Sequence, residues 1–186
     1  MRIISGKLRG KNIFFLKSST TRPLKDSVKE NIFNIISHSK LLNLRLEKSN
    51  ILDLYSGFGS FGLECISRGA EKITFVEKNN DIAKILKKNL SNLNIVKNVN
   101  LVVDSAKNFL TKNFSNKYEI IFLDPPFTDD SYIEDLKIIK QKKNFKKNHV
   151  VIIHREIKSF EDFNKILDPI LVKKYGRSKI IFGRFL

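Results

Sequence analysis

The sequence contains a single cysteine and no tryptophan among its 186 residues. The lone Cys65 excludes an internal disulfide framework and a zinc site built on several cysteines, and we expect it in the core. No uninterrupted apolar run approaches the roughly 18 residues needed to span a bilayer, and the N-terminal MRIISGKLRGK lacks the apolar core of a secretory signal peptide. We therefore expect a cytoplasmic protein without a membrane partner, folded as one domain over residues 1–186.

Acidic residues are scarce relative to basic ones. The chain has 35 lysines and arginines against 19 aspartates and glutamates, a formal net charge of +16 at pH 7. Such a surplus favours a polyanionic partner, most simply nucleic acid. Genomic codon bias is a second source of part of the surplus, because lysine and the abundant asparagine, isoleucine and phenylalanine have A/T-rich codons. The basic segments are residues 1–30, 137–147 and 170–186.

Apolar periodicity predicts an α/β fold. Nearly continuous apolar runs alternate with helical patterns, which is typical of a Rossmann-like, doubly wound parallel sheet. A closing antiparallel hairpin is predicted around Gly176, which makes seven strands, and a small N-terminal β-hairpin and a helix precede the sheet. Ser27 and Glu30 have the spacing of a capping box at the start of that helix. The strands of the sheet are predicted at residues 51–55, 73–76, 99–103, 118–123, 150–153, 170–175 and 179–185.

A glycine-rich turn follows the first predicted strand and opens a helix. Gly57, Gly59 and Gly62 have the G-x-G-x-x-G spacing that lets backbone amides at a helix N-terminus approach a ligand closely. The spacing alone fits a dinucleotide as well as S-adenosylmethionine. Asp53 favours the second cofactor, because a carboxylate four residues before the first glycine would repel a pyrophosphate and attract the cationic end of S-adenosylmethionine.

Two more acidic residues end the next two predicted strands. Glu77 lies 20 residues after Gly57, where a carboxylate can hold ribose hydroxyls, and Asp104 offers an acceptor for an adenine amino group. Each acid taken alone also fits a helix cap at a strand–helix junction. Three acids at the ends of three successive strands favour a cofactor site.

The fourth predicted strand delivers Asp124, Pro125, Pro126 and Phe127 to the edge where open α/β sheets bind ligands. The prolines stiffen the loop, so that the Asp124 carboxylate and the Pro125 carbonyl present two acceptors at a set separation. A planar exocyclic amine has two N–H donors that would satisfy them, and Phe127 offers a face on which a base can stack. A rigid loop with a core phenylalanine is the alternative.

These motifs resemble those of class I S-adenosylmethionine-dependent methyltransferases, among which [D/N]PP[F/Y] marks enzymes that methylate exocyclic amines. Within that class, RIISGKLRGK, TRPLKDSVKENIFNII, LDLYSGFGSFGLECISRGA, FVEKN, FLDPPF and KKYGRSKIIF resemble the RsmD family. The resemblance covers nearly the whole chain. It implies methyl transfer from S-adenosylmethionine to the N2 amine of a specific guanine in bacterial 16S ribosomal RNA, with S-adenosylhomocysteine as the product.

The resemblance also implies site residues. The catalytic residues would be Asp124, Pro125, Pro126 and Phe127. The cofactor-binding residues would be Asp53, Tyr55, Ser56, Gly57, Gly59, Glu77, Lys78, Asp104 and Ser105. Arg2, Arg9 and Arg22, in a basic hairpin extension over residues 1–23, are predicted to contact the substrate RNA together with Phe127. The expected partner is 16S ribosomal RNA, within a small-subunit particle, and the expected state is a monomer.

Three alternatives compete with this interpretation. An adenine-N6 methyltransferase acting on nucleic acid shares the Asp-Pro-Pro-Phe motif but normally needs a target-recognition insertion. An NAD-dependent oxidoreductase is disfavoured by Asp53, and a non-enzymatic RNA-binding protein by the intact loop. His38, His149 and His154 lack the spacing of metal ligands, so no metal is expected and we treat them as structural or exposed. For His154, which ends the fifth predicted strand near the crevice, a substrate contact is the alternative.

Overall fold

The structure, a computed structural model, describes residues 1–16, 24–112 and 115–186. In these ranges the helices are Asp26–His38 (α1), Ser60–Ser67 (α2), Asn80–Asn92 (α3), Ala106–Thr111 (α4) and Tyr132–Lys142 (α5). The strands are Asn50–Leu54 (β1), Lys72–Glu77 (β2), Val99–Val103 (β3), Tyr118–Leu123 (β4), Phe145–Glu156 (β5), Leu167–Tyr175 (β6) and Ser178–Phe185 (β7). None of these helices is long and apolar enough to cross a membrane.

The strands form one seven-stranded sheet in the order β3-β2-β1-β4-β5-β7-β6. Strands β1 to β5 pair in parallel, whereas β7 pairs antiparallel with both β5 and β6. The chain progresses to one side of β1 through β2 and β3, and to the other side through β4 and β5. This reversal between β1 and β4 opens a crevice at the carboxyl ends of the strands. The predicted doubly wound sheet with a C-terminal hairpin is confirmed.

Alternation along the strands divides the core into two layers. Ile51 and Phe122 face the layer that holds α1, α2 and α3, while Leu52 faces the layer that holds α4 and α5. Three stacked phenylalanines fill the first layer, since the Phe61 ring lies 5.3 Å from that of Phe33 and 4.0 Å from that of Phe122. Both faces of the central strands are therefore covered, which explains their nearly continuous apolar sequence.

Strands β5 and β6 begin several residues earlier than predicted. β5 begins at Phe145 rather than at residue 150, and β6 begins at Leu167 rather than at residue 170. Polar residues 146–149 hide the start of β5. Pro169 hides the start of β6, but β6 is an edge strand, where a missing N–H is tolerated, and the register shifts beside this proline.

The N-terminal hairpin is shorter than predicted. A single antiparallel bridge joins Arg2 to Asn12, because the backbone of this segment bonds to α2 instead of extending the ladder. The amides of Ile4 and Ser5 donate to the Glu64 carboxylate, at 2.8 and 3.0 Å. The separate role of the extension over residues 1–23 stays a prediction, and its residues 17–23 lie outside the described part of the chain.

Helix α1 begins two residues earlier than the capping-box spacing indicates, because a cap at Ser27 would make Val28 the first helical residue. Its first residue is Asp26, and no side chain caps its N-terminus, so the prediction of a Ser27 cap is wrong. The Asp26 carboxylate lies in the first turn, where the helix dipole favours a negative charge, and it also lies 3.6 Å from Arg2.

A buried ion pair ties the N-terminal segment, α1 and α2 together. Lys29 is 0% exposed, and its Nζ donates to the Arg2 carbonyl at 2.8 Å and lies 3.8 Å from Glu64. Burial lowers the pKa of Lys29, while the charges of Glu64 and Asp26 act in the opposite direction. Glu64 is equally buried and also accepts a hydrogen bond from Arg68, at 2.8 Å. Losing Glu64 would remove the buried partner of Lys29 and leave it the partly exposed Asp26 at 3.8 Å, which is a poorer counter-charge for a buried ammonium group.

We expect Glu64→Ala to lower the free energy of unfolding by roughly 3–5 kcal/mol, the usual cost of breaking a buried pair by removing one partner. Glu64→Gln should cost less, because an amide oxygen can still accept one of the N-terminal amides. Urea denaturation measures both effects. The matched control is Glu30→Ala at an exposed position of α1, which should change stability by less than about 0.5 kcal/mol. Equal stabilities for the two alanine variants would contradict an anchoring role for Glu64.

Candidate active site

A cavity of about 1040 Å³ opens at the carboxyl ends of β1, β2, β4 and β5. The glycine turn after β1 and the ends of β2 and β3 form one side, and the loop after β4 forms the other. The predicted cofactor and catalytic residues that line it are Asp53, Tyr55, Ser56, Gly57, Glu77, Lys78, Asp104, Ser105, Asp124, Pro125, Pro126 and Phe127. The structure thus brings together residues that the sequence spreads over more than 70 positions.

Gly59 is a predicted cofactor residue that does not line the cavity. It precedes the first residue of α2 with a φ of +85°, and a Cβ atom there would lie 2.4 Å from a methyl group of Leu86. Gly62 follows within α2, where a Cβ atom would lie 2.3 Å from the side chains of Ile73 and Phe75. These two glycines allow the turn and the close packing of α2 on the sheet, so their role is to shape the backbone and not to contact a ligand.

Asp53 is a buried carboxylate with one oxygen left without a partner. Its Oδ2 accepts a hydrogen bond from the Gly62 amide at 3.0 Å, but no described group bonds Oδ1, although the residue is 1% exposed. Burial raises the pKa of Asp53 well above its usual range, and the negative charges of Asp124 and Glu77 raise it further. A cation in the cavity would supply the missing partner, so Asp53 fits the cationic end of S-adenosylmethionine.

Glu77 occupies the place where a dinucleotide-binding turn would hold a phosphate. Its carboxylate accepts the amide of Gly57 at 2.9 Å and the amide of Asn79 at 2.8 Å. The glycine-turn amide that a pyrophosphate would need is therefore already used by a negative side chain. Each carboxylate oxygen keeps a second lone pair for a ribose hydroxyl. This arrangement fits an adenosyl cofactor without phosphates better than it fits NAD.

Asp104 bonds to residues at the start and the end of α4, the helix that follows it. Its carboxylate accepts hydrogen bonds from the Ser105 amide at 2.8 Å, from Asn108 at 3.0 Å and from Lys112 at 2.8 Å. The bonds from Lys112 and Asn108 lower the pKa of Asp104. Ser105 caps α4 by accepting the amide of Asn108. Both residues line the cavity, yet their contacts are those of a helix start, with one lone pair of Asp104 Oδ2 left for an adenine amine.

Tyr55 closes the cavity between the glycine turn and α5. Its hydroxyl donates to Asp135 Oδ2 at 2.6 Å, and its backbone adopts a left-handed φ of +59°. Burial raises the pKa of both the Tyr55 hydroxyl and the Asp135 carboxyl. The bond therefore joins two buried polar groups and fixes the tyrosine ring in the wall.

Asp124 and Pro125 present two acceptors to the cavity. Asp124 Oδ1 accepts a hydrogen bond from His154 Nδ1 at 2.8 Å, and an ionised carboxylate requires that this nitrogen carry the hydrogen. Within the described part of the chain, Asp124 Oδ2 and the Pro125 carbonyl accept no hydrogen bond. Phe127 is 38% exposed beside them, with its ring edge-on to that of His154 at 5.3 Å. His154 is thus a member of the site rather than a structural or exposed histidine.

Arg155 is the main site residue that the sequence analysis missed. It is 1% exposed, and its guanidinium donates to the carbonyls of Pro126, Phe127 and Asp129 at 3.0 to 3.1 Å. Asp130 accepts a further bond from it at 2.7 Å. The loop after β4 is therefore held from behind by one side chain. A charged residue two positions after the apolar run of β5 was the available signal.

Arg155 is itself anchored. Its guanidinium lies 4.6 Å from the centre of the Tyr132 ring, and its Nε lies 3.6 Å from Glu161. Glu161 in turn pairs with Lys179 of β7 at 2.5 Å. Ion pairs therefore connect the loop after β4, through Arg155 and Glu161, to the C-terminal hairpin.

Of the arginines predicted to contact RNA, Arg2 and Arg9 do not line the cavity. Arg2 is exposed but pairs with Asp26, and Arg9 lies near the tip of the N-terminal hairpin, whose turn bonds to Ser67 at the far end of α2. Arg22 lies outside the described residues. The N-terminal part of the chain contributes Met1, Leu24, Lys25 and Val28 to the cavity wall instead.

His149 and Cys65 are buried structural residues, whereas His38 is exposed in the last turn of α1. His149 accepts the Phe185 amide on Nε2 and bonds the Lys146 carbonyl through Nδ1. Burial lowers the pKa of His149. Cys65 is buried in α2, as expected.

Known proteins resemble the chain over its whole length. The family model described as "Conserved hypothetical protein 95" matches residues 1–184. Two proteins called ribosomal RNA small subunit methyltransferase D, from Buchnera aphidicola subspecies of Baizongia pistaciae and Acyrthosiphon pisum, are 31% and 33% identical to it. The alignments cover 100% and 84% of this chain, and 91% and 78% of the two relatives.

A solved structure has the same fold. The protein yhhF from Escherichia coli superimposes with a TM-score of 0.81 at 25% identity, over 100% of this chain and 97% of that one. The sheet, the cavity at its carboxyl edge and these similarities agree with the motifs of the sequence. The chain belongs to the family described as conserved hypothetical protein 95, the RsmD family of class I S-adenosylmethionine-dependent methyltransferases.

Proposed function

We propose that this protein transfers a methyl group from S-adenosylmethionine to the N2 amine of a guanine in 16S ribosomal RNA. The observation that carries the proposal is a pair of acceptors without hydrogen-bond partners, Asp124 Oδ2 and the Pro125 carbonyl. They line the same cavity as Asp53, whose buried Oδ1 lacks a partner. The names of the relatives support RNA of the small ribosomal subunit as the substrate. We further propose that the RNA is methylated within a small-subunit particle.

Asp124 and Pro125 hold the amine. The two hydrogens of a planar exocyclic amine donate to Asp124 Oδ2 and to the Pro125 carbonyl, which fixes the orientation of the nitrogen. Phe127 offers its exposed face to the base, a stacking contact worth about 1–3 kcal/mol in single-strand binding proteins. The base reaches this depth from an RNA loop or after leaving its stack. These residues act by position and need not transfer a proton before the methyl group moves.

Asp53 and Glu77 hold the cofactor. S-adenosylmethionine, when bound, supplies a methyl group already activated by a sulfonium centre. Asp53 balances the cationic end with its unpartnered Oδ1, and Glu77 offers the free lone pairs of its carboxylate to the ribose. Tyr55, held by Asp135, closes the wall between the cofactor side and the amine side.

Arg155 is a positioning residue for the amine site. It binds the carbonyls of Pro126 and Phe127 on the side of the loop away from the cavity. With these carbonyls engaged, the Pro125 carbonyl is the loop acceptor left for the substrate. A guanidinium supplies several donors in a fixed plane, which suits a set of converging carbonyls better than an ammonium group does.

The test of the proposed function is tritium transfer from labelled S-adenosylmethionine to small-subunit particles and to their RNA transcribed in vitro, followed by nucleoside analysis. N2-methylguanosine is the expected product. N6-methyladenosine would instead support the adenine-N6 alternative, because an adenine amine offers the same two donors to the loop. No transfer to either substrate would contradict the proposal.

We expect Asp124→Ala to reduce methyl transfer by roughly 10²–10⁴-fold, the range for removing a positioned polar group at a reacting centre. Thermal stability and cofactor affinity should stay close to those of the wild type. Asp124→Asn should lose less, because its amide oxygen still accepts one N–H bond. Phe127→Ala should impair use of the base, and Phe127→Tyr should keep most activity. Asp168→Ala, at an exposed carboxylate of β6, is the control, and a wild-type rate for Asp124→Ala would refute the assigned site.

The affinity for S-adenosylmethionine should rise with pH. Because the pKa of Asp53 is raised in the cofactor-free protein, the carboxyl is protonated up to a higher pH than usual, and binding of a cation releases that proton. Stability of the cofactor-free protein should fall as pH rises through the same raised pKa. Calorimetry in buffers of different ionisation enthalpy measures the proton release. Asp53→Asn should bind weakly without proton release, whereas Asp168→Asn should behave like the wild type.

Arg155→Met should loosen the loop after β4. We expect faster amide hydrogen exchange over residues 124–130 and a lower kcat, with little change in cofactor affinity, because the glycine turn does not touch Arg155. Arg155→Lys should recover only part of kcat. Arg184→Met is a matched control, since Arg184 also donates to two backbone carbonyls but does so at Leu42 and His149, away from the loop. If both variants lose stability and kcat equally, Arg155 has no positioning role.

A further inference from the structure

The turn between β6 and β7 lies at the same edge of the sheet as the amine site. Because β7 runs antiparallel to β5, its first residue, Ser178, pairs with Glu156 at the carboxyl end of β5. The hairpin therefore extends the ligand-binding edge by two strands beyond β5, roughly 10 Å at the usual strand spacing. This extension lies on the side opposite the cofactor residues of β1, β2 and β3. A polymer that enters the amine site from outside would pass over it.

The turn is part of the cavity wall and is held in place. Tyr175, Gly176, Arg177 and Ser178 all line the cavity. The Arg177 carbonyl accepts the Ile157 amide at 2.9 Å, and the Ser178 hydroxyl donates to the Tyr175 carbonyl at 3.2 Å. These bonds fix the backbone, while the Arg177 side chain stays exposed. Tyr175 is half-buried, so one side of its ring packs on the core and the rest faces outward.

The basic side chains at this end of the hairpin are free. Lys173, Lys174 and Arg177 are exposed and form no ion pair with any residue in the described ranges. The two other basic residues of the C-terminal segment are used internally, since Lys179 pairs with Glu161 and Arg184 donates to backbone carbonyls. Of a segment that is basic throughout, only the part beside the cavity keeps charges available for a polyanion.

We propose that the hairpin end, defined as Lys173, Lys174, Tyr175 and Arg177, binds the phosphate backbone of the RNA strand next to the target guanosine. The proposal rests on the proposed function and names the surface that presents that substrate. The three charges neutralise phosphates, and Tyr175 offers a ring to a neighbouring base or sugar. Phosphate contacts of this kind set register and orientation without reading the sequence.

The N-terminal arginines are less suited to this task. Arg2 already pairs with Asp26, and Arg9 lies at the far end of α2, whereas Arg177 is part of the cavity wall itself. An RNA held by Arg9 would reach Asp124 only after crossing the length of α2, about 12 Å for its eight residues.

The experiment compares RNA binding by the full chain and by Lys173→Gln/Lys174→Gln/Arg177→Gln, using small-subunit ribosomal RNA transcribed in vitro and filter binding over a KCl series. Each lost phosphate contact should reduce the log–log salt slope by roughly 0.7, so the triple variant should lose about 2 units of slope. We expect at least a roughly tenfold weaker affinity at moderate salt, a raised KM for RNA, and unchanged binding of S-adenosylhomocysteine.

The matched control removes three exposed lysines from the opposite edge of the sheet. Lys72, Lys97 and Lys117 lie at or just before the first residues of β2, β3 and β4, so their replacement by glutamine changes net charge equally without touching the ligand edge. Equal effects of the two triple variants would overturn the proposal. So would a loss of slope confined to Arg2→Gln/Arg9→Gln/Arg22→Gln. Binding is measured without methylation, so a wild type that makes a product other than N2-methylguanosine would refute the function and leave this comparison valid.

Discussion

The parallel register of β1, β4 and β5 is the constraint on which the site depends. Leu54 pairs with Leu123, and Leu123 pairs with Ile153, so Asp124, just after β4, and His154, within β5, lie at one level and their side chains meet. Because neighbouring residues of a strand face opposite sides, a slip of one residue in β5 would exchange His154 and Arg155. The histidine would then leave the carboxylate, and the loop would lose the arginine behind it. The buried apolar faces of these strands make such a slip costly, so the core protects the geometry of the site.

The fold and most of the cavity wall were predictable because their signals are local. Apolar runs, the spacing of glycines and the position of acids after strands lie within a few residues of one another, and together they indicate both the parallel sheet and its ligand edge. The roles of Arg155 and Glu64 were not predictable in this way. Arg155 meets carbonyls more than 25 residues away, and Glu64 accepts amides about 60 residues away, so both depend on tertiary packing. Tertiary contacts also explain why the N-terminal hairpin is shorter than predicted, because several of its amides bond to α2 and not to the opposite strand.

Lys29, Arg155 and Asp53 are buried ionisable residues that differ in how they are compensated. Lys29 faces Glu64, and Arg155 faces carbonyls and Glu161, so both are balanced by the protein itself. Asp53 keeps an oxygen without a partner. A protein tolerates such a group at a cost in stability where a ligand later removes the cost. The contrast separates two ionisable groups that hold the fold together from Asp53, whose unpartnered oxygen fits the proposed cofactor site.

The ion pairs from Lys179 through Glu161 to Arg155 have a consequence for substrate choice. They join the strand that begins at the hairpin turn to the loop after β4, which carries the proposed amine acceptors, and every member is largely buried. The distance between the outer turn and the amine acceptors is therefore a fixed length. With RNA bound to the hairpin end as proposed above, a rigid separation of this kind would act as a molecular ruler, which selects a nucleotide by its distance along a folded RNA backbone and leaves the identity of the surrounding bases unread.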